Sequence, residues 1–366
     1  MNKILVIQTA SIGDVILATA VLEKIHGYHP GIQLDLLIKK GPEDLFEHHP
    51  FIHRLWLWDK NRKSRDLLRL LREFRKERYD LIINIQRFLA TGLLTVLSGA
   101  KGTTGFRKNP LSVFYSKRFP HVIGAGIHET DRNQCLIADL TDRIPAKPRL
   151  YPSGQTVHAG SGIYYTVSPA SLWFTKQFPP GRWAGLIAKM PSDATVYLLG
   201  SGKERALCEE IVRLAQTGEE SRRKNEEGKV MREEEAEIRD PGAGILDPES
   251  GIRHQESGKE GPRIVQLAGE ISLLETAALM QGARMNFTND SAPLHLASSV
   301  NAPVVAVYCS TIPAFGFGPL SEKSAIVEVG EPLSCRPCGL HGRKSCPEQH
   351  FRCATGIQPA QLEAWI

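Results

Sequence analysis

The chain lacks the usual marks of a nucleotide-handling protein. It has no Walker lysine motif, and it has no D-x-D triplet that could hold a divalent metal against a sugar nucleotide. The turn after the first apolar run carries one glycine, Gly13, where a phosphate-cradling loop would carry several. Long hydrophobic runs are also missing, and none approaches the ~20 residues that span a bilayer. An apolar strand pattern begins right after Met1–Lys3, which leaves no room for the charged and apolar regions of a signal peptide, so none is expected. Cysteine does not come in an even set. There are seven, and four crowd into residues 335–353, which suits a reducing compartment better than a disulfide scaffold. A cytoplasmic protein is expected, at most peripheral at the inner face of the cytoplasmic membrane.

What is present is a repeated alternation of strand and helix. The 366 residues, 42% hydrophobic, suffice for two ordinary cores. In the first half "ILVIQ" (4–8), "IQLDLLIK" (32–39), "FIHRLWLWD" (51–59) and "YDLIINIQ" (79–86) read as strands. Helices are expected over 15–26 and 64–78. A linker rich in Pro and Gly is expected over about 145–162, after which the pattern restarts. "IYYTVSP" (163–169), "TVYLLGS" (195–201), "RIVQLAG" (263–269), "RMNFTND" (284–290) and "APVVAVYCS" (302–310) are its strands, with helices over 183–190 and about 203–215. This predicts an α/β protein of two Rossmann-like, doubly wound parts facing a cleft. The two parts are residues 1–160 and 161–345, followed by a cysteine-rich tail with a C-terminal helix over 335–366. Residues 217–262 interrupt the second part with 13 acidic and 8 basic residues and no aromatic, and are expected to be a disordered insertion. The remainder then holds 37 basic against 27 acidic residues, a charge of +10, which fits an acidic partner.

Few residues in this frame could carry chemistry. Asp14 follows Ser11 at the spacing of a helix cap, so a structural role explains it as readily as a catalytic one. In "NDSAPLHLA" (289–297) a strand gives way to a helix whose free N–H groups suit phosphate, and Ser291 and His295 share one face of it. The loop "SPASLWFTKQFPPGRW" (168–183) offers Ser168, other hydroxyls and Lys176, and "LLGSGKE" (198–204) puts Glu204 in a first helical turn. The stripe Leu67, Leu70, Leu71 and Phe74 within 62–78 reads as a core-facing helix with a solvated basic outer face. Cys335, Cys338, Cys346 and Cys353 make a candidate four-thiolate zinc site, although only the first pair has the short C-x-x-C spacing.

Taken in order, S-I-G-D after the first strand, "RYDLIINIQ" (78–86), "GTTGFRK" (102–108), "TKQFPPGRW", "LLGSGKE", "LAGEISLLETAAL" (267–279) and "NDSAPLHLA" resemble glycosyltransferase family 9, the ADP-heptose:lipopolysaccharide heptosyltransferases. The resemblance covers nearly the whole chain outside the insertion. It implies a GT-B fold and inverting transfer that needs no metal or other cofactor. Asp14 would be the base on the acceptor hydroxyl and Lys176 the cation beside the departing diphosphate. The donor would also meet Ser168, Glu204, Asp290, Ser291, Ala292 and His295. The acceptor would meet Ser11, Gly13, Gln86 and Arg87. Where the family pattern D-[ST]-G-x-x-H has glycine, this chain has Ala292 followed by Pro293. ADP-heptose and a lipopolysaccharide inner-core sugar are the partners implied, and no nucleic acid. The rival readings are a family member with another donor or surface-glycan acceptor, a GT-B-fold nucleotide-sugar epimerase, and a zinc-ribbon protein binding nucleic acid. The last leaves the paired strand–helix pattern unexplained.

Overall fold

The computed structural model describes residues 1–152, 162–230 and 261–366. The first half runs β1 (Lys3–Ile7), α1 (Ile12–Tyr28), β2 (Gln33–Lys39), β3 (Ile52–Trp58), α2 (Lys63–Glu77), β4 (Leu81–Asn84), α3 (Leu89–Val96), β5 (Gly102–Phe106), β6 (Lys117–Phe119) and α4 (Glu129–Gln134). The second runs β7 (Tyr164–Ser168), α5 (Pro180–Ile187), β8 (Thr195–Leu198), α6 (Arg205–Val230), β9 (Arg263–Gln266), α7 (Leu273–Gly282), β10 (Met285–Asn289), α8 (Ala292–Ser299), β11 (Val304–Tyr308), β12 (Ser324–Glu328), α9 (Arg352–Thr355) and α10 (Ala360–Glu363).

Each half builds a parallel six-stranded sheet. The orders are β3-β2-β1-β4-β5-β6 and β12-β11-β10-β7-β8-β9. Read from each half's own first strand, the two orders are the same doubly wound topology. The direction of winding reverses between β1 and β4 in one sheet and between β7 and β10 in the other. Ligands of such sheets bind beyond the carboxyl ends of the strands at that reversal, so the topology marks two facing places before any side chain is considered. The central strands are apolar throughout because helices cover both faces of each sheet. Ile4 to Ile7 of β1 and Val304 to Tyr308 of β11 are fully buried. On α2 the expected stripe faces inward, with Leu70 and Phe74 fully buried and Leu67 and Leu71 packed beside them.

The halves meet through α1 and α8. Val15, Ile16 and Val21 of α1 share one apolar cluster with Leu294 and Ala297 of α8. Gly13 marks a close approach. A Cβ there would lie 2.8 Å from His295 Cδ2, with Ala292 Cα behind it at 3.8 Å. The lone glycine of the opening turn therefore makes room for a helix of the other half and not for phosphate. Gly13→Ala is expected to cost roughly 1–3 kcal/mol through overpacking. Melting temperatures of Gly13→Ala and of Gly13→Ala with His295→Ala check this, and the double variant should recover much of the loss.

The second half departs from expectation at α6. The helix continues to Val230, into the segment expected to be a disordered insertion from residue 217. The rest of that segment over 231–260, and the linker over 153–161, lie outside the described residues.

Candidate active site

Asp14 is held by the cap it was expected to form. The Ser11 hydroxyl donates to Asp14 Oδ2 at 2.5 Å and the Ser11 N–H donates to the same oxygen at 3.1 Å. The Asp14 N–H returns a long bond of 3.4 Å to Ser11 Oγ, which closes the capping box. The side chain keeps partial contact with solvent at the cleft between the halves. The protein around it still displaces enough water that burial pushes its carboxyl pKa above the ordinary range. The bonds from Ser11 oppose this, and the Glu129 charge adds to it. A carboxylate with a raised pKa is the better proton acceptor for a hydroxyl. Capping and catalysis are thus not exclusive at this position, since the cap aims the carboxylate.

Lys176 ends a single 3-10 turn, Phe174–Lys176, in the loop after β7. Its ammonium pairs with Asp290 Oδ2 at 2.7 Å, and both side chains are largely buried. Thr311 donates to the same oxygen at 2.6 Å. The loop is pinned to the end of β10 through Asn289, whose Oδ1 accepts from the Phe178 N–H at 3.0 Å and whose amide donates to Pro169 O at 2.6 Å. Thr311 and Asn289 were missed in the sequence because neither stands at a motif spacing. Their role follows from the neighbouring carboxyl ends of β10 and β11.

The start of α8 is open. Ser291 is its N-cap in extended conformation and makes no side-chain capping bond, and Ala292 opens the helix with Pro293 in the first turn. Pro293 has no N–H and the Leu294 N–H donates to Ser291 O at 3.1 Å, so the N–H groups of Ser291 and Ala292 are the ones open to an anion beside Lys176. Replacing the family's glycine by Ala292 leaves the helix start intact. Ser168, at the carboxyl end of β7, is buried with its hydroxyl unpartnered.

Other expected residues sit differently. His295 is buried, and burial lowers its pKa to about 3, so it is a neutral ring wedged at the α1–α8 contact and supplies no positive charge. Its Nδ1 has no partner among the described residues. Glu204 Oε2 accepts from the Ser201 N–H at 2.7 Å in a second capping box at the rim. Gln86 is buried, donates to Gln8 Oε1, and gives its carbonyl to Asn109 at 3.0 Å. Arg87 beside it is exposed, with its guanidinium 5.4 Å from the Phe88 ring centre.

The candidate zinc site at Cys335, Cys338, Cys346 and Cys353 is not confirmed by the structure. All seven cysteines are free, and among the described residues no group of three or more His, Cys, Asp or Glu side chains stands close enough to share a metal ion. Cys338 turns its thiol to the Cys335 carbonyl at 3.3 Å. Cys353 is buried in the apolar core behind β11 and β12, where burial pushes its thiol pKa up to about 11.

Two facing Rossmann-type sheets, with an acid at one reversal point and a lysine–acid pair under a helix start at the other, define a GT-B glycosyltransferase. The chain belongs to glycosyltransferase family 9 (heptosyltransferase), whose profile matches residues 67–225 and 247–350. It is 26% identical to lipopolysaccharide heptosyltransferase 1 of Pseudomonas aeruginosa, over 95% of this chain and 88% of that one. It is 20% identical to lipopolysaccharide heptosyltransferase 3 of Escherichia coli, over 82% and 81% respectively. Its fold superposes on that of E. coli ADP-heptose lipopolysaccharide heptosyltransferase II with a TM-score of 0.71, at 17% identity over 99% of this chain and 97% of that one.

Proposed function

We propose that the protein transfers heptose from ADP-heptose to an inner-core sugar of lipopolysaccharide, with inversion and without a metal. The observation that carries this is the opposition of Asp14 to the Lys176–Asp290 pair and the uncapped start of α8. The acceptor hydroxyl gives its proton to Asp14 as its oxygen bonds to the anomeric carbon. The bond from that carbon to the diphosphate oxygen breaks, and ADP leaves with the electron pair. The N–H groups of Ser291 and Ala292 at the start of α8 and the Lys176 ammonium meet the charge that develops on the leaving oxygen. The names of the similar proteins support heptose and lipopolysaccharide as the chemistry on either side. Incubation with ADP-heptose and truncated core acceptors, read by mass, tests the reading. An acceptor heavier by one heptose is expected. An isomerised sugar nucleotide with no acceptor gain would favour the epimerase reading.

Lys176 and the helix start already supply positive partners for the diphosphate, so transfer is expected to proceed unchanged in EDTA. Loss of activity on brief chelation, restored by Mg²⁺, would refute this.

No helix among the described residues is long and apolar enough to cross a membrane. Peripheral contact is proposed through the loops after β4 and β5. Asn109 ties these together by donating to Gln86 O and Phe88 O, and they expose Phe88 (49%) and Phe114 (66%) among Arg87, Arg107 and Lys108. Apolar tips among cations suit the anionic surface in which the acceptor is anchored. Phe88→Ser with Phe114→Ser should lower turnover of acceptor held in vesicles and spare turnover of a soluble truncated acceptor.

A further inference from the structure

The segment from Cys335 to Arg343 has no part in the chemistry so far, yet its path is closely determined. The Arg336 guanidinium donates to the carbonyls of Cys309 and Thr311 at 2.7 and 2.8 Å, and the Cys338 N–H donates to Ser310 O at 2.9 Å. Farther along, the Thr175 N–H donates to Arg343 O at 3.1 Å and the Arg343 N–H donates to Thr175 Oγ1 at 2.8 Å. Gly342 between these anchors has φ +79°, and a Cβ on it would stand 2.9 Å from Lys176 Cγ and 3.2 Å from Trp173 Cβ. The strap therefore lies directly on the stem of Lys176 and is bonded to the residues next to it.

Seating Gly342 on that stem leaves the preceding side chain, His341, exposed at the cleft. Arg87 and Asp14 of the first half and Lys176 and Asp290 of the second all act on its charge. Its pKa lies below the ordinary histidine value, through burial first and then the charges of Arg87 and Lys176, with Asp14 and Asp290 opposing. The ring is thus a neutral N–H donor near neutral pH.

We propose that His341 contacts the diphosphate of the sugar-nucleotide donor. The strap brings it to the point where the lips of the two halves meet, beside the cation assigned to the leaving group. The proposal rests on the transferase reading for its ligand. It assigns the cysteine-rich segment a part in donor binding.

The test uses His341→Ala and His341→Gln in the full chain, with ADP affinity by calorimetry, melting temperature, and transfer from ADP-heptose. For His341→Ala, ADP affinity should fall about tenfold or more, as for loss of a hydrogen bond to a charged group. The melting temperature should hold because the side chain is exposed. His341→Gln keeps an N–H donor and should recover part of the affinity. ADP affinity of His341→Ala within about twofold of wild type would overturn the proposal, being well under what such a bond contributes. A wild-type protein that binds ADP but does not transfer heptose would fail the donor assignment alone, and the ADP affinities of the variants would still decide the role of His341.

Discussion

Asp14→Asn is expected to lower the transfer rate by roughly two to four orders of magnitude, the range of a lost general base. Its melting temperature and ADP affinity should stay near wild type. An asparagine keeps the acceptor oxygen that holds the Ser11 hydroxyl and N–H, so the cap at the start of α1 survives. An amide cannot take the acceptor proton. If Asp14 were only a cap, the rate would stay near wild type and any effect would appear as a loss of at most ~1–2 kcal/mol in stability. The wild-type rate should also fall at acid pH above the ordinary carboxylate range. Burial raises the pKa of Asp14, so the base is protonated and lost as pH drops through that raised value. Titration of Asp14 should account for that limb, so the residual rate of Asp14→Asn should not follow it.

Lys176→Ala should act on the other side of the reaction. Loss of one preorganised charge at the leaving group is expected to lower transfer by about 10²–10³-fold and to weaken ADP binding. It should also destabilise the fold, by roughly 3 kcal/mol, because Asp290 would keep a buried charge without its cation. Combining it with Asp290→Asn separates the two effects. The double variant should regain stability, with Thr311 still donating to residue 290, and should remain slow. Melting temperature and initial rate on the same preparations check both expectations. Recovery of rate in the double variant would show that Lys176 acts on the fold and not on the diphosphate.

Much of this architecture was legible in the sequence. The buried strands read as continuous apolar runs, and strand–helix alternation is the pattern of a parallel sheet. The strands that escaped notice are β5, β6 and β12. "KRF" of β6 is short, polar and at an edge, so it carries no apolar run, and the five residues of β12 are half exposed. The extension of α6 was missed because residues 217–230 are dense in charge, contain two glycines and lack a readable apolar stripe. Asp14, Lys176 and Asp290 could be singled out as candidates because each lies at or after the end of an apolar strand pattern, and the roles expected of them came from the resemblance to family 9. The seat of His295 against Gly13 was not legible, because the contact joins two halves of the chain and no local pattern reports it. The cysteine spacing pointed to a metal, which the structure does not confirm, while the cover that the strap between Cys335 and Arg343 makes over Lys176 had no local signal in the sequence.

The central claim is a single direct displacement in which Asp14 takes the acceptor proton while ADP departs on the Lys176 side. The anomeric configuration of the product, read by NMR after transfer from ADP-heptose of known configuration to a truncated core acceptor in the presence of EDTA, tests it most directly. The account predicts one product whose anomeric carbon is inverted relative to the donor. A product with the donor's configuration retained would require two displacements through an enzyme-bound sugar and would contradict it.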